Sequence, residues 1–463
     1  MGEAQSVTRS AQPLTGPKGK LLFGSLLEAW DDPLSLFDQA AASHGGVIRL
    51  RFLNYEYVLV SSPEGAKHVL VDNPKNYQKS RNYDGLKVML GNGLLTSEGE
   101  FWKRQRRLSQ PAFHRDKLVR FADQMVSATD DMLNEWQTRA ASGEPFDVHR
   151  EMMAVTLRIV GLTLFNVDMA GEQAEKIGDA VTVAIHWCNK HVESVFRVPL
   201  AVPIPRNVKF RRALRTLDST VNEIIVDRRK SGELGNDLLS MYMQASDADT
   251  GEKMNDKQLR DEVMTLILAG HETTANALTW TFYLLSKHPE IRAKLKEEVT
   301  RVLGERTPTF DDVKQLEYTS WVIQEGMRHY PPVWVFEREA LEDDVIDGFR
   351  VPKGSGVAVS PWVMHRSAKY WENPEAFDPE RFSPARSASR SKHLYLPFGG
   401  GPRVCIGNMF AMMEAQLMLA RITQKFFLHH DPSHVAEPEP VVTLRPKYGM
   451  RMTLTPSSAG HAT

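Results

Sequence analysis

Cys405 lies in the stretch FGGGPRVCIG (398–407), where three glycines, a proline and an arginine precede it and the apolar helical pattern NMFAMMEAQLMLA follows. Glycine-rich backbone at a helix start brings N–H groups close to an anion, and the helix dipole favours negative charge there. Such a setting suits a thiolate serving as a metal ligand, tuned by hydrogen bonds to sulfur and a low dielectric around it. Two other accounts compete. A buried, inert thiol in a turn is the plainer one, because cysteine outside disulfides is among the most buried residue types. A nucleophilic cysteine requires a positioned histidine, and neither His365 nor His393 sits in a local pattern that supplies one.

A second polar interruption falls at AGHETT (269–274), within a helical pattern that Asn255 and Gln258 open as a capping pair and that runs to about Leu285. A helix of that length spans roughly 45 Å and must cross the core. Gly270 costs roughly 1 kcal/mol there relative to alanine, and His271, Glu272, Thr273, Thr274 and Asn276 break the apolar face. Thr273 returning its hydroxyl to a carbonyl one turn back, with Glu272 solvated, would account for two of them without chemistry. An acid beside an alcohol in a dry helix also suits ordered proton delivery. The zinc-protease pattern H-E-x-x-H fails, since Ala275 stands where the second histidine belongs.

The elements that must position these residues are mostly helical. Apolar residues recur at spacings of three and four near 116–140, 147–166, 171–196, 207–231, 256–286, 289–303, 311–330 and 407–426. Val47–Val60 reads as a strand pair, and the stretch between Tyr330 and Phe398 as short strands and proline-rich turns. The fold class is therefore mainly α with small β-sheets. Of 463 residues, 42% are hydrophobic and 25% charged, which excludes default disorder. Lys plus Arg number 57 against 58 Asp plus Glu, so no global charge draws the chain to nucleic acid. Two cysteines are too few for a disulfide framework, which points to a reducing, cytoplasmic setting, and Cys188 reads as a core residue. No secretory signal or membrane-spanning run is expected, and nothing suggests more than a monomer.

The five fixed residues Phe398, Gly401, Arg403, Cys405 and Gly407 match the signature F-x-x-G-x-R-x-C-x-G, and by them the chain resembles the cytochrome P450 family. AGHETT is similar to the family's acid and alcohol motif, Glu325 and Arg328 to its E-x-x-R pair, and PERF (379–382) to the segment whose Arg381 joins that pair. Glu298 and Arg301 share the E-x-x-R spacing but lack the downstream order. The motifs look closer to the fatty-acid-hydroxylating and microsomal-like branch than to the camphor-type branch. What the resemblance implies is the cytochrome P450 fold, with haem b between the long central helix and the cysteine-loop helix and Cys405 as axial ligand to the iron. Trp102, Arg106, Arg338 and Arg403, with Lys79 as a weaker candidate, would hold the haem carboxylates; Phe398 would belong to the haem site. Thr273 and Glu272 would manage the protons of dioxygen, and Glu325, Arg328 and Arg381 would form a structural network.

By the same similarity, Leu95, Leu266, Ala269, Val333, Val335 and Val442 would line the substrate pocket with Thr273, which suits a lipophilic substrate such as a lipid, fatty acid, terpene or steroid-like molecule. The arginine and tyrosine that anchor a fatty-acid carboxylate in the self-sufficient enzymes align with Tyr55 and Leu59, so that anchor is missing. Residues 1–20 read as a flexible arm and 21–463 as one catalytic domain without a fused reductase, since no nucleotide-binding glycine motif occurs. Electrons would then come from a separate ferredoxin or flavoprotein docking on Lys103, Arg104, Arg107 and Arg115, read as exposed cations. The activity implied is a monooxygenase. Direct use of peroxide, isomerisation on the same fold, or a non-catalytic haem sensor or carrier stand as alternatives.

Overall fold

The computed structural model describes residues 11–194, 197–232, 235, 237–245, 251 and 253–457, and the chain forms two compact units. The first comprises residues up to Asp84, Arg328–Ala376 and Pro384–Cys405; the second comprises Gly85–Met327, Phe377–Ser383 and the chain from Ile406 onward.

In the first unit, helix α1 (Pro33–His44) starts where the Asp32 side chain accepts from the N–H groups of Leu34 and Ser35, with Pro33 at the first helical position. Five strands follow: β1 (Val47–Phe52), β2 (Tyr55–Val60), β3 (Tyr77–Lys79), β4 (Phe336–Ala340) and β5 (Gly356–Val359). They form one sheet in the order β1-β2-β5-β4-β3, in which only β2 and β5 pair parallel. All four residues of β5 are buried, as are Tyr57–Val60 of β2, so these central strands read as apolar runs and not as alternation. Val58, Val60, Val357, Val359, Met364 and Leu396 share the core behind them. Of the expected N-terminal arm, residues 1–10 lie outside the described residues, Gln12 exchanges backbone hydrogen bonds with Gly348 and Arg350, and the Thr15 carbonyl accepts from Arg49.

The second unit is helical: α2 (Gly99–Ser109), α3 (Arg115–Ser142), α4 (Val148–Val160), α5 (Gly171–Glu193), α6 (Pro205–Ser231), α7 (Asp256–Lys287), α8 (Pro289–Leu303), α9 (Glu317–His329, its last two residues belonging to the first unit) and α10 (Asn408–Lys425). The capping box at α7 forms as the spacing predicts, with Gln258 N–H on Asn255 Oδ1 and Asn255 N–H on Gln258 Oε1, both at 2.9 Å. Gly143 and Gly232 close α3 and α6 in the left-handed region. α7 packs along α4, and Gly270 is what permits it: a Cβ there would stand 2.7 Å from Val160 Cγ2. The glycine thus serves helix packing, which accounts for its cost inside the helix.

Cys188 is buried on α5, its thiol on the Gly85 carbonyl at 3.2 Å, and burial pushes the thiol up to about 12, in keeping with a core residue. The expected helix at 311–330 begins only at Glu317. The Asp312 carboxylate accepts from the Thr309 N–H and hydroxyl and from Arg306, and so holds 310–312 as a tight turn instead. Two small sheets complete the unit: a hairpin of β7 (Pro438–Pro440) and β8 (Leu444–Pro446), and a three-stranded sheet in which β9 (Arg451–Pro456) pairs β6 (Phe426–His430).

Each member of the expected framework pair has contacts with more distant parts of the chain. Glu325, fully buried, accepts from the Asp378 N–H at 2.9 Å and from Arg381 Nε at 3.2 Å. Arg328, in the first unit, donates to the carbonyls of His365 (2.8 Å) and Ala376 (3.1 Å). The rival pair resolves as well: Glu298 takes the N–H groups of Tyr318 and Thr319 and the Thr319 hydroxyl, while Arg301 stays 3.9 Å away with its side chain exposed. Removing Glu325 leaves the buried Arg381 charge without its carboxylate, a loss of about 3–5 kcal/mol. Glu325→Ala is accordingly expected to unfold at markedly lower denaturant than the parent, with Glu325→Gln intermediate; equal midpoints would refute the buried-pair account.

Candidate active site

The cysteine loop is built inside the first unit. Leu396 N–H donates to His365 Nε2 at 2.9 Å, Cys405 N–H to the Phe398 carbonyl at 2.9 Å, and Val404 N–H to the Gly401 carbonyl at 3.1 Å. Gly399 and Gly401 both take positive φ, and at Gly401 a Cβ would stand 1.7 Å from the Leu70 carbonyl oxygen, so no other residue fits. These bonds turn the chain so that Cys405 is exposed, three residues ahead of α10. That excludes the inert buried thiol. The nucleophile reading loses its base as well: His365 is buried with Nε2 accepting from backbone, and its carbonyl is held by Arg328.

Cations gather in the same unit around Tyr83, a residue that sequence reasoning missed. Lys79 lies 4.3 Å from its ring, Arg338 hydrogen-bonds it, and both Arg338 and Arg403 pull its hydroxyl's pKa down, although burial wins and raises it overall. Arg338 itself is buried, donating to the Glu337 carbonyl at 2.8 Å. The Glu337 carboxylate in turn collects Tyr57, Ser80 and Asn82. Three cations of one unit within reach of one phenol make a setting for a dianionic ligand edge. Phe398 is half-buried, and Val333 and Val335 are half-buried in the turn before β4.

In the second unit the middle of α7 carries the polar residues. From Asp261 to Phe282 every residue is buried except Ala269, Gly270 and Thr273; Ala269 is exposed and the other two are half-buried. A window therefore opens in the centre of an otherwise enclosed helix. Thr273 Oγ1 donates to the Ala269 carbonyl at 2.8 Å, the back-bond the residue type allows, which leaves its lone pairs as acceptors at the window. Glu272, by contrast with the solvated reading, is buried; Oε1 accepts from Thr443 Oγ1 at 2.7 Å, and burial raises its pKa. Leu95 and Val442 are half-buried and Leu266 is buried in the same unit.

Three further acids were not picked out. Asp261 accepts from Asn92 N–H at 2.9 Å and Glu262 from Leu94 N–H at 3.1 Å, so α7 holds the turn that presents Leu95. Glu414 on α10 is fully buried, and desolvation raises it well above the usual carboxylate range. On α2, Trp102 and Arg106 are half-buried, and Lys103 pairs with Glu100 at 2.6 Å. Lys103, Arg107 and Arg115 are exposed as expected. Arg104 is half-buried with its Nε out of solvent, a correction to the exposed-cation reading.

Comparison with known proteins decides what the geometry belongs to. A family model described as Cytochrome P450 matches residues 14–452. The chain belongs to the cytochrome P450 family. It is 36% identical to cyclooctatin synthase of Streptomyces melanosporofaciens (95% of each chain), and 31% identical to pentalenene oxygenase of Streptomyces avermitilis (96% of this chain, 98% of that one). With cyclooctat-9-en-7-ol 5-monooxygenase of Streptomyces melanosporofaciens it shares 32% identity over 90% of each chain. Among solved structures, the cytochrome P450DA heme domain matches with a TM-score of 0.87 and 27% identity, covering 98% of this chain and 100% of that one. The chain is thus a P450 monooxygenase, and the family implies haem. The residues present fit that group: an exposed thiol on a rigid glycine loop, a cation cluster, and a window in the central helix of the P450 fold.

The buried acids give the pH dependence of stability a sign. Burial pushes Glu262 up to about 8 from 4.5, so across that interval the folded state binds a proton that the unfolded state has lost. Stability must fall as pH rises through the interval, by at most about 1.4 kcal/mol per pH unit for this group. Glu262→Gln should therefore gain on the parent as pH climbs from 5 to 8. Parallel denaturation curves whose separation does not change with pH would contradict the assignment.

Proposed function

We propose that this P450 inserts one oxygen atom of O2 into a hydrophobic, terpenoid-like substrate at haem b ligated by Cys405. The observation that carries the reading is the α7 window, where exposed Ala269 and acceptor Thr273 border the buried Glu272. Bound haem supplies oxygen activation and the thiolate tunes it. The chain's own residues do the rest. In the first unit Cys405 would hold the iron through sulfur, Lys79, Arg338 and Arg403 would offer charge to the haem carboxylates, and Phe398 braces the cysteine turn through its carbonyl; in the second unit the family resemblance gives Trp102 and Arg106 the same carboxylate role. Glu272, whose neutral form burial favours although Arg445 and Thr443 act the other way, gives a proton toward the window, and Thr273 accepts a hydrogen bond there, so that protons arrive at one place. This division of labour favours the oxygen route over direct use of peroxide, isomerisation or haem sensing.

Apolar Leu95, Leu266, Ala269, Val333, Val335 and Val442 suit a substrate held by burial, at about 25 cal/mol per Å² of apolar surface. The terpenoid choice within the lipophilic class follows the names of the relatives, two of which are pentalenene oxygenase and cyclooctat-9-en-7-ol 5-monooxygenase. The likeness of AGHETT, PERF and FGGGPRVCIG to the fatty-acid-hydroxylating and microsomal-like branch concerns the framework, and none of the relatives named above carries a fatty acid in its name. Electrons would come from a separate ferredoxin or flavoprotein attracted to exposed Lys103, Arg107 and Arg115, with Arg104 behind them. Two cysteines without a disulfide framework support a reducing, cytoplasmic setting. Among the described residues no helix is long and apolar enough to cross a membrane.

Cys405→Ser is expected to abolish the sulfur-type absorption of the reduced, carbon monoxide-treated protein; its persistence would end the proposal. With a terpenoid that shifts the haem absorption, Thr273→Ala should keep consuming reductant while product falls on the order of a hundredfold and peroxide rises. Unchanged product per electron would remove Thr273 from the proton path.

A further inference from the structure

The β7–β8 turn carries Val442 and Thr443 to the middle of α7. Thr443 Oγ1 donates to Glu272 Oε1 at 2.7 Å and accepts from Asn276 Nδ2 at 3.1 Å, and Asn276 Oδ1 faces His149 Nε2 at 2.9 Å. Asn276 stands one turn from Glu272 on the same face of α7, while His149 comes from α4. All four side chains are buried, and Glu272 Oε2 is buried with no hydrogen-bond partner. The two oxygens of this carboxyl are therefore not equivalent. One is occupied by a hydroxyl donor, and the other has no hydrogen-bond partner, while the nearby Arg445 charge acts on the carboxyl as a whole and opposes the effect of burial.

We propose that Thr443 is a positioning residue for Glu272: by donating to Oε1 it makes that oxygen the carbonyl of the neutral acid and leaves Oε2 as the hydroxyl that hands the proton on. The inference rests on the proton-donor reading of Glu272 given above. The polarity of the network is consistent throughout. His149 donates from Nε2, the Asn276 amide accepts on oxygen and donates from nitrogen, and Thr443 accepts from that nitrogen and donates to Glu272. Burial pushes His149 and His271 down to about 4, so both are neutral near pH 7, and the nearby Arg445 acts in the same direction on each. An amide passes hydrogen-bond polarity along but not a proton, so Asn276 separates Glu272 from His149 as a source. The network orients the acid and does not feed it.

The test reads the carboxyl directly. Infrared difference spectra of the haem-loaded protein, wild type minus Glu272→Gln, should contain a protonated-carboxyl C=O stretch that shifts in D2O. In Thr443→Val that stretch should move to higher wavenumber, because the carbonyl loses its donor; Thr443→Ala serves as a second hydroxyl-free variant of smaller volume. Thr443→Ser should return the stretch to its parental position, which a merely space-filling role for Thr443 would not require. A stretch unmoved in both hydroxyl-free variants, or no stretch lost in Glu272→Gln, overturns the proposal. The carbon monoxide spectrum of the same parental sample tests the haem-thiolate reading separately: a sulfur-type band with an unmoved stretch overturns the Thr443 assignment alone, and absence of that band in the parent overturns the function proposed above.

Discussion

At position 401 the Leu70 carbonyl oxygen occupies the space where a side chain would begin, and the course of the cysteine loop follows from that crowding. With Gly401 at positive φ and Gly399 likewise, the segment turns back so that Cys405 N–H reaches the Phe398 carbonyl. The loop is anchored at its start by Leu396 N–H on His365, and His365 is anchored in turn by Arg328 on its carbonyl. Three links of backbone and side chain thus hold one exposed thiol in place. A sulfur proposed as a ligand must be both accessible and rigid, and a loop in which Gly401 cannot be replaced, braced by a buried guanidinium, meets both demands without placing a helix or strand at the sulfur itself.

The second unit solves a different problem, that of keeping acids inside a helix bundle. Glu262, Glu272 and Glu414 are all buried, and desolvation raises the pKa of each, so burial favours the neutral carboxyl over an unpaired charge at all three. Glu262 accepts the Leu94 N–H on Oε2 and Glu272 the Thr443 hydroxyl on Oε1, and each leaves its other oxygen without a hydrogen-bond partner. Along α7 the two acids differ in their donor, a backbone N–H at Glu262 and a side-chain hydroxyl at Glu272, since burial and pKa direction are shared.

How much of this was legible in the residues divides along the same line. Helix limits followed from periodicity and caps, as the Asn255–Gln258 pair shows, and failed at 311–316 because a single carboxylate, Asp312, diverted the chain into a tight turn. Cys405, Glu272, Thr273, Glu325, Arg338 and Arg403 stood out because short motifs fix their spacing. Tyr83, His365 and Thr443 did not, since each acts through a partner distant in sequence: Tyr83 with Arg338, His365 with Leu396, Thr443 with Glu272. Asn276 was visible as a break in the apolar face and lay one turn from Glu272, but its meaning needed the β7–β8 turn, which no periodicity announces. Gly270 shows the converse, a motif residue whose local reason is contact with Val160.

That last case bears on how a shared motif should be read physically. Within AGHETT, Gly270 answers to the packing of α4, His271 is buried and neutral with its ring on the Ile267 carbonyl, and Glu272 is tied to Thr443. Only Ala269 and Thr273 reach the window without a packing duty toward α4 or the hairpin that the structure records. Chemistry at the window can therefore vary through those two positions while the others stay fixed by the fold. Val442 belongs to the same turn as Thr443, so the hairpin that orients the acid also carries an apolar side chain of the proposed pocket. Changes in that turn that adapt the pocket to a new substrate would shift Thr443 with it, and a one-ångström displacement there exchanges a hydrogen-bonded acid for an unrestrained one. On the proposed reading, substrate choice and proton delivery would in this way be coupled through two adjacent residues of one β-turn.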